Sequence, residues 1–175
     1  MIQQDFPVIE TERLILRTPR FEDLSVWTPF LASERSQFIG GPQPDAGQAW
    51  RAFSHIAGMW ALRGFGSFVF TRKNTQDQPL GASGPWFPVG WPERELGWTV
   101  WDQSAEGTGL AFEAASAARR YAYDTLGWQR AVSYIDPGNA RSIALAERLG
   151  CTLDPDADTP FPDKRDLVYR HPEVL

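Results

Sequence analysis

The chain has 175 residues, 42% hydrophobic and 22% charged, with a net charge of -5, which suits one substantial core and excludes a charge-rich disordered chain and a broadly basic nucleic-acid surface. No run approaches the roughly 20 consecutive apolar residues that span a bilayer, and Met1 to Pro7 has no basic segment leading into an apolar one. The expectation is one soluble, cytoplasmic domain over 1–175 without membrane or nucleic-acid partners, and a lone Cys151 with two separated histidines, His55 and His171, predicts neither an internal disulfide nor a metal.

Ile9 to Arg17 ends in an apolar run of strand character that Thr18-Pro19 breaks. Phe21, Leu24, Trp27 and Leu31 recur at helical spacing, limited by Pro29, and Ile39 to Pro42 forms a loop. Asp45 is placed to cap a helix running to about Leu62, with Trp50, Phe53, Ile56 and Trp60 along one side and Gly64 and Gly66 at its end. Ser67 to Arg72 and Leu80 to Trp86 read as antiparallel strands joined by a polar surface turn, Lys73 to Gln78, and Glu95 to Trp101 as a further strand.

A helix from about Thr108 to Thr125 carries Leu110, Ala114, Ala117 and Tyr121 on one stripe, with Glu113, Arg120 and Asp124 away from it, and stops at Leu126-Gly127. Ala131 to Ile135 is a strand, and Asp136-Pro137-Gly138-Asn139 turns into a short helix with Ile143, Ala146 and Leu149 inward. Asp154 to Asp163 is a loop before a last strand near Asp166 to Arg170. This order implies a mixed α/β sheet covered by helices.

The stretch from Glu95 to Leu126 carries the clearest chemistry. A strand enters the turn Ser104-Ala105-Glu106-Gly107-Thr108-Gly109, and the turn opens a long helix. N–H groups at a helix start lack intrahelical partners and sit at the positive end of the peptide dipoles, so such a turn can hold a pyrophosphate without a lysine. The glycines let backbone approach closely.

Together with Thr11 to Arg17 (T-E-R-L-I-L-R), with Asp136, Pro137, Asn139 and Ser142, and with Arg148 and Gly150, this turn stands in an order that resembles the GNAT superfamily, in the branch of bacterial N-acetyltransferases of ribosomal-protein N-termini. The resemblance runs from about Ile9 to Arg170. It implies a GNAT fold, with a mostly antiparallel central sheet flanked by helices, and acetyl-CoA as co-substrate. It also implies acetyl transfer to a primary amine, preferably a peptide or protein α-amine, with a small-molecule amine as the alternative, by a monomer or homodimer. In such proteins the strand before the turn splays from its neighbour to admit the pantetheine arm. An N–H of that strand, here Trp98 or Thr99, polarises the thioester, and a serine matched by Ser142 serves the leaving thiolate. Ser104, Ala105, Glu106, Gly107, Thr108 and Gly109 are then the pyrophosphate site, with Asn139 as a pantetheine contact or as an N-cap.

Three departures bear on this. Ser104 and Glu106 replace residues that are commonly basic or neutral, which is expected to weaken phosphate binding; Cys151 replaces a phenylalanine, a packing change; and Ala146 stands where many relatives carry a tyrosine acid. Glu95 is the expected base, because a carboxylate beside Leu96 and Trp98 has its pKa raised by desolvation; the competing reading is a solvated charge at a strand start. An α-amine, with a reference pKa of about 8, asks less of such a base than a lysine at about 10.4. Neither histidine lies in a matched motif. The aromatic stretch Trp86 to Pro92 reads either as a rigid structural loop or as an acceptor wall suited to an apolar or aromatic amine. Two competing readings are a non-catalytic acyl-CoA-binding module and a protein that binds a nucleotide diphosphate on the same turn.

Overall fold

The computed structural model describes residues 6–173, apart from the side chains of residues 76 and 77. The N-terminal apolar run forms two short strands, β1 (Ile9–Glu10) and β2 (Leu14–Arg17), and helices α1 (Leu24–Leu31) and α2 (Ala46–Arg63) follow. Next come β3 (Phe68–Arg72), β4 (Thr75–Trp86), β5 (Glu95–Val100) and α3 (Leu110–Asp124). The chain finishes with β6 (Val132–Ile135), α4 (Ala140–Arg148), β7 (Thr152–Leu153) and β8 (Leu167–Arg170). The strands make one sheet in the order β1-β2-β3-β4-β5-β6-β8-β7. Every neighbouring pair is antiparallel except β5 and β6, so the mixed, mostly antiparallel α/β sheet expected from the sequence is the one observed.

Period-two alternation divides the core between the two faces. Leu14, Leu16, Phe68 and Phe70 pack with Leu110, Ala114, Ala117 and Ala118 of α3, while Val69 and Ala82 turn toward Trp27, Phe30 and Phe53 of α1 and α2. Alanines along the buried side of α3 let its backbone lie close to the sheet. A third cluster joins α4 to the far strands through Ile135, Ala146, Leu149, Cys151 and Tyr169. Ala146 is fully buried there, and Cys151 is a packing residue, its thiol pushed up to about 11 chiefly by burial. Among the described residues no helix is long and apolar enough to cross a membrane.

Three details depart from the sequence reading. Trp50 is 49% exposed, and its neighbour Ala49 takes the inward position, where its carbonyl accepts from Trp27 Nε1 at 2.9 Å. The polar stretch after Arg72 is not all turn: β4 already begins at Thr75, with register shifts around Thr71 absorbing the difference. Strand β7, two residues long, is too short to leave a periodic signal. The caps are where residue type places them, with Asp45 Oδ1 accepting from Gln48 N at 2.7 Å and Gly64 closing α2 at φ +73.

Arg17 at the end of β2 and Asp23 before α1 form a buried pair, with guanidinium–carboxylate distances of 2.7 and 2.9 Å, and Asp23 also accepts from Arg20 N at 2.8 Å. Both residues are at most 5% exposed. Removing one member of such a pair leaves an uncompensated buried charge, so Asp23→Ala is expected to lower unfolding free energy by about 3–5 kcal/mol. The shift of the urea midpoint measures this, and a midpoint within experimental scatter of the parent would show the pair to be dispensable.

Candidate active site at the open edge of β5

The site begins with an interrupted hydrogen-bond ladder. Trp101 N donates to Leu80 O at 2.8 Å, so by antiparallel alternation the backbone groups of residues 95, 97 and 99 face β4, and those of 94, 96, 98 and 100 face the opposite edge. On that edge Arg94 O accepts from Val132 N at 2.9 Å, and the β5–β6 register consists of the single pair Glu95–Val132. Beyond it the strands part. Leu96 O is satisfied by Ser133 Oγ at 2.5 Å, and Val100 O by Arg35 at 3.0 Å. Trp98 lies between these two side-chain plugs, with its N–H directed into the opening. Of the two donors expected on this strand, Thr99 has its N–H turned to β4 instead, although its side chain lines the same space.

The opening leads into a cavity of about 720 Å³. Glu95, Trp98, Asn139 and Ser142 all line it, as do Trp86 and Trp91 of the aromatic stretch. Asn139 Oδ1 accepts from Ser142 N at 3.2 Å, capping α4 and fixing Ser142 in its first turn. Trp98 Nε1 reaches across the gap to Ser142 Oγ at 3.3 Å. Glu95 is pushed up to about 7, first by burial and further by Asp166, against a 2.6 Å hydrogen bond from Trp91 Nε1 and a backbone hydrogen bond from Tyr134. Burial also raises Tyr134 to about 12 and Asp166 above the usual carboxylate range.

His171 packs behind the site. It is 2% exposed, lies 3.0 Å from Ser133 Oγ through Nε2, and is driven down to about 3 by burial and then by Arg119. His55 is exposed, with its ring 4.8 Å from that of Trp86 at the cavity wall. Among the described residues, no group of three or more His, Cys, Asp or Glu side chains could hold a metal ion.

The glycine turn sits at the other end of β5. Gly107 and Gly109 take left-handed backbone at φ +69 and +80, and Gly109 is the N-cap of α3. The N–H groups of Ser104, Ala105 and Glu106 are spent internally, on Asp102 Oδ1, Asp102 O and Gln103 O. Among the described residues no backbone carbonyl accepts from those of Gly107 to Phe112. The backbone N–H groups left without a backbone acceptor are therefore those of Gly107, Thr108, Gly109 and the first turn of α3, beginning three residues after the start of the turn singled out from the sequence, because a tight helical turn at 103–105 consumes the earlier ones.

Glu106 does not point freely to solvent. Arg35 holds Oε1 at 2.6 Å and Arg141 holds Oε2 at 2.6 Å. Burial opposes its ionisation, but these two hydrogen-bonded cations outweigh that and hold the carboxyl below its ordinary range. Arg35 also donates to Trp101 O at 2.6 Å, which ties the turn, the end of β5 and the segment 34–39 together. Nothing in the local pattern around Arg35 signals this role. Ser133 does leave a trace, as a hydroxyl in the apolar strand A-V-S-Y-I.

The N-terminal motif acts at the same place. Thr11 Oγ1 and Arg13 N donate to Glu113 Oε1 at 2.6 and 2.8 Å, Arg13 Nε donates to Oε2 at 2.6 Å, and Arg13 Nη1 donates to Thr108 O at 3.1 Å. Glu113, expected on the solvent side of α3, is thus the anchor that pins the helix start to the β1–β2 corner.

The profile of the acetyltransferase (GNAT) domain matches residues 13–152. Among solved structures, an acetyltransferase from Agrobacterium tumefaciens str. C58 is 38% identical, with a TM-score of 0.88 over 99% of this chain and 98% of that one. An acetyltransferase of the GNAT family from Bacillus anthracis is similar in fold, at 19% identity and a TM-score of 0.72 over 94% and 96% of the two chains. So is a ribosomal-protein-S5-alanine acetyltransferase from Vibrio fischeri, at 13% identity and a TM-score of 0.66 over 94% and 95%. With four-fifths of its length matched and the whole architecture shared, the chain belongs to the GNAT family of acetyltransferases.

Proposed function

We propose that the protein transfers the acetyl group of acetyl-CoA to a primary amine, a peptide or protein α-amine by preference, at the open edge of β5. The observation that carries this reading is the Trp98 N–H directed into the gap, with Glu95 on the same strand and Ser142 across from it. Acetyl-CoA supplies a thioester whose carbonyl must be polarised and whose thiolate must be accepted as a leaving group. The free N–H groups of Gly107 to Phe112 suit its pyrophosphate. Arg35 and Arg141, which neutralise Glu106, remove the repulsion that a lone carboxylate would exert there.

Trp98 N–H is placed to donate to the developing oxyanion, a contact worth most in a site closed to water. Glu95, held near 7, can accept a proton from the incoming amine at neutral pH, since a base acts best when its pKa lies near the working pH. That match favours an α-amine with a reference pKa of about 8 over a lysine at about 10.4. Ser142 Oγ accepts from Trp98 Nε1 and keeps its own proton to offer the departing sulfur. A small-molecule α-amine has the same acid–base chemistry, and the volume of the cavity admits one.

Thermal unfolding with acetyl-CoA, CoA or ADP tests the donor site. At about 100 times the dissociation constant a native-state ligand adds roughly 2.7 kcal/mol, so acetyl-CoA and CoA should raise Tm clearly and more than ADP; no shift at millimolar acetyl-CoA would overturn the assignment.

Glu95 also makes a sign-definite statement about pH. Because its folded pKa of about 7 lies above its ordinary 4.5, its contribution to stability is intact below about pH 4.5 and is lost as pH rises through about 7. Glu95→Gln should therefore flatten the decline in stability between weakly acidic and weakly alkaline buffer. It should also remove the acidic limb of the kcat/KM profile, with kcat lowered by about 10²–10⁴-fold if the carboxylate is the base. Full activity with an unchanged profile would sink that role.

A further inference from the structure

Building on the acyl-transfer reading, we propose that the acceptor is a primary amine carried on an aromatic body, with its nitrogen at the Glu95 carboxylate and its ring against Trp86 and Trp91. Trp86 is the direct cross-strand partner of Glu95 in the β4–β5 register. Directly opposed residues of an antiparallel pair project from one face with Cβ atoms about 4.5–5.5 Å apart, so this indole flanks the carboxylate. Trp91, from the loop between the same strands, holds Glu95 Oε2 at 2.6 Å through its own indole N–H. The base is thus set between two indoles.

Each indole is backed by a ring from a distant part of the chain. His55 of α2 lies 4.8 Å from Trp86, and Phe161 stands edge-on to Trp91 at 5.4 Å. All four rings line the cavity. Its mouth is apolar as well: of the nine large apolar side chains exposed on the described surface, Phe38, Ile39 and Phe161 border this one space. Exposed apolar groups gathered around a concavity mark a binding surface, whereas scattered ones do not.

The distribution of charge narrows the class. Glu95, Asp136 and Asp166 line the cavity, which favours an approaching ammonium. The cation that lines it, Lys164, lies at the aromatic end, with Nζ 5.1 Å from the centre of the Phe161 ring. A second positive charge on the acceptor would meet Lys164 there, so a diamine fits poorly and a monoamine with an uncharged ring fits well. Two sources share this chemistry, a free arylalkylamine and a peptide that begins with an aromatic residue.

The test compares kcat/KM, read as CoA release by the full chain at saturating acetyl-CoA, for 2-phenylethylamine against butylamine and 1,4-diaminobutane. A second pair is a phenylalanine-initiated tripeptide against the alanine tripeptide. The aromatic member of at least one pair should lead by about 10-fold or more, the scale on which apolar pockets discriminate. An aromatic lead confined to the peptides assigns the source to chain N-termini, and one confined to the free amines assigns it to small molecules. Phe161→Ala, at a half-exposed loop position, and Trp86→Ala should each bring the ratio toward one while the Tm shift with acetyl-CoA is kept.

Ratios near one in the parent protein, or a lead for 1,4-diaminobutane, would overturn the inference. Should acetyl-CoA neither stabilise the protein nor be consumed, the donor reading fails separately. Tryptophan fluorescence titrated with 2-phenylethylamine then decides: a saturable change lost in Phe161→Ala supports the acceptor class, and no change in the parent overturns it.

Discussion

A backbone carbonyl inside a sheet must find a donor, and the structure around this site follows from how the edge of β5 meets that demand without a full partner strand. Val132 N satisfies Arg94 O, Ser133 Oγ satisfies Leu96 O, and Arg35 satisfies Val100 O and Trp101 O. Side chains thus replace a strand on both sides of Trp98. The cost of an opening made in this way is reduced, because the carbonyls on either side of Trp98, those of Leu96 and Val100, each have a donor. Its position is also well defined, since Ser133 is itself fixed by the buried His171 and Arg35 by Glu106.

The same economy governs the helix start at the other end of β5. α3 has no side-chain cap, and its first N–H groups are left without backbone partners, an arrangement that suits an anion but would loosen the helix if nothing else held it. Glu113 in the first turn compensates. It is bound by Thr11 and Arg13, and Arg13 also takes the Thr108 carbonyl from below the turn. Anionic charge near a helix N-terminus is favourable in its own right, so the clamp steadies the helix without occupying the N–H groups that face outward. Glu106 is held differently, between two guanidinium groups, and so does not act as an isolated negative charge near those donors.

Much of this was legible from residue order. Asp45 and Asn139 cap the helices they were expected to cap, the glycine turn opens α3, and the apolar neighbours of Glu95 pointed to a raised pKa. What escaped was long-range pairing. Glu113 looks like a solvent-facing residue from its place in the helical period, and its partners lie a hundred positions away. Arg35 lies in a short helical turn whose local pattern says nothing about Glu106, 71 positions downstream. Trp50 and Ala49 differ by one step of the helical wheel, a choice made by the shape of the Trp27 pocket rather than by hydrophobicity. The choice between Trp98 and Thr99 depends on the phase of the ladder, which periodicity cannot give; it needed the single bond from Trp101 N to Leu80 O.

Burial divides the acid–base labour around the cavity. It drives His171 down to about 3 and Tyr134 up to about 12, so neither changes charge near neutral pH. Acting on a carboxylate, the same desolvation brings Glu95 up to about 7, into the range where accepting an amine proton is easiest. Ala146, fully buried among Ile135, Leu149 and Tyr169, has no room to be replaced by a tyrosine without repacking that cluster. For the proposed reaction the candidate acid is Ser142 on the cavity wall, with its N–H bound to Asn139 and its oxygen receiving the indole N–H of Trp98. A hydroxyl that accepts one hydrogen bond is polarised toward donating another. The tryptophan whose backbone N–H would polarise the thioester therefore also prepares, through its side chain, the proton that its thiolate would take.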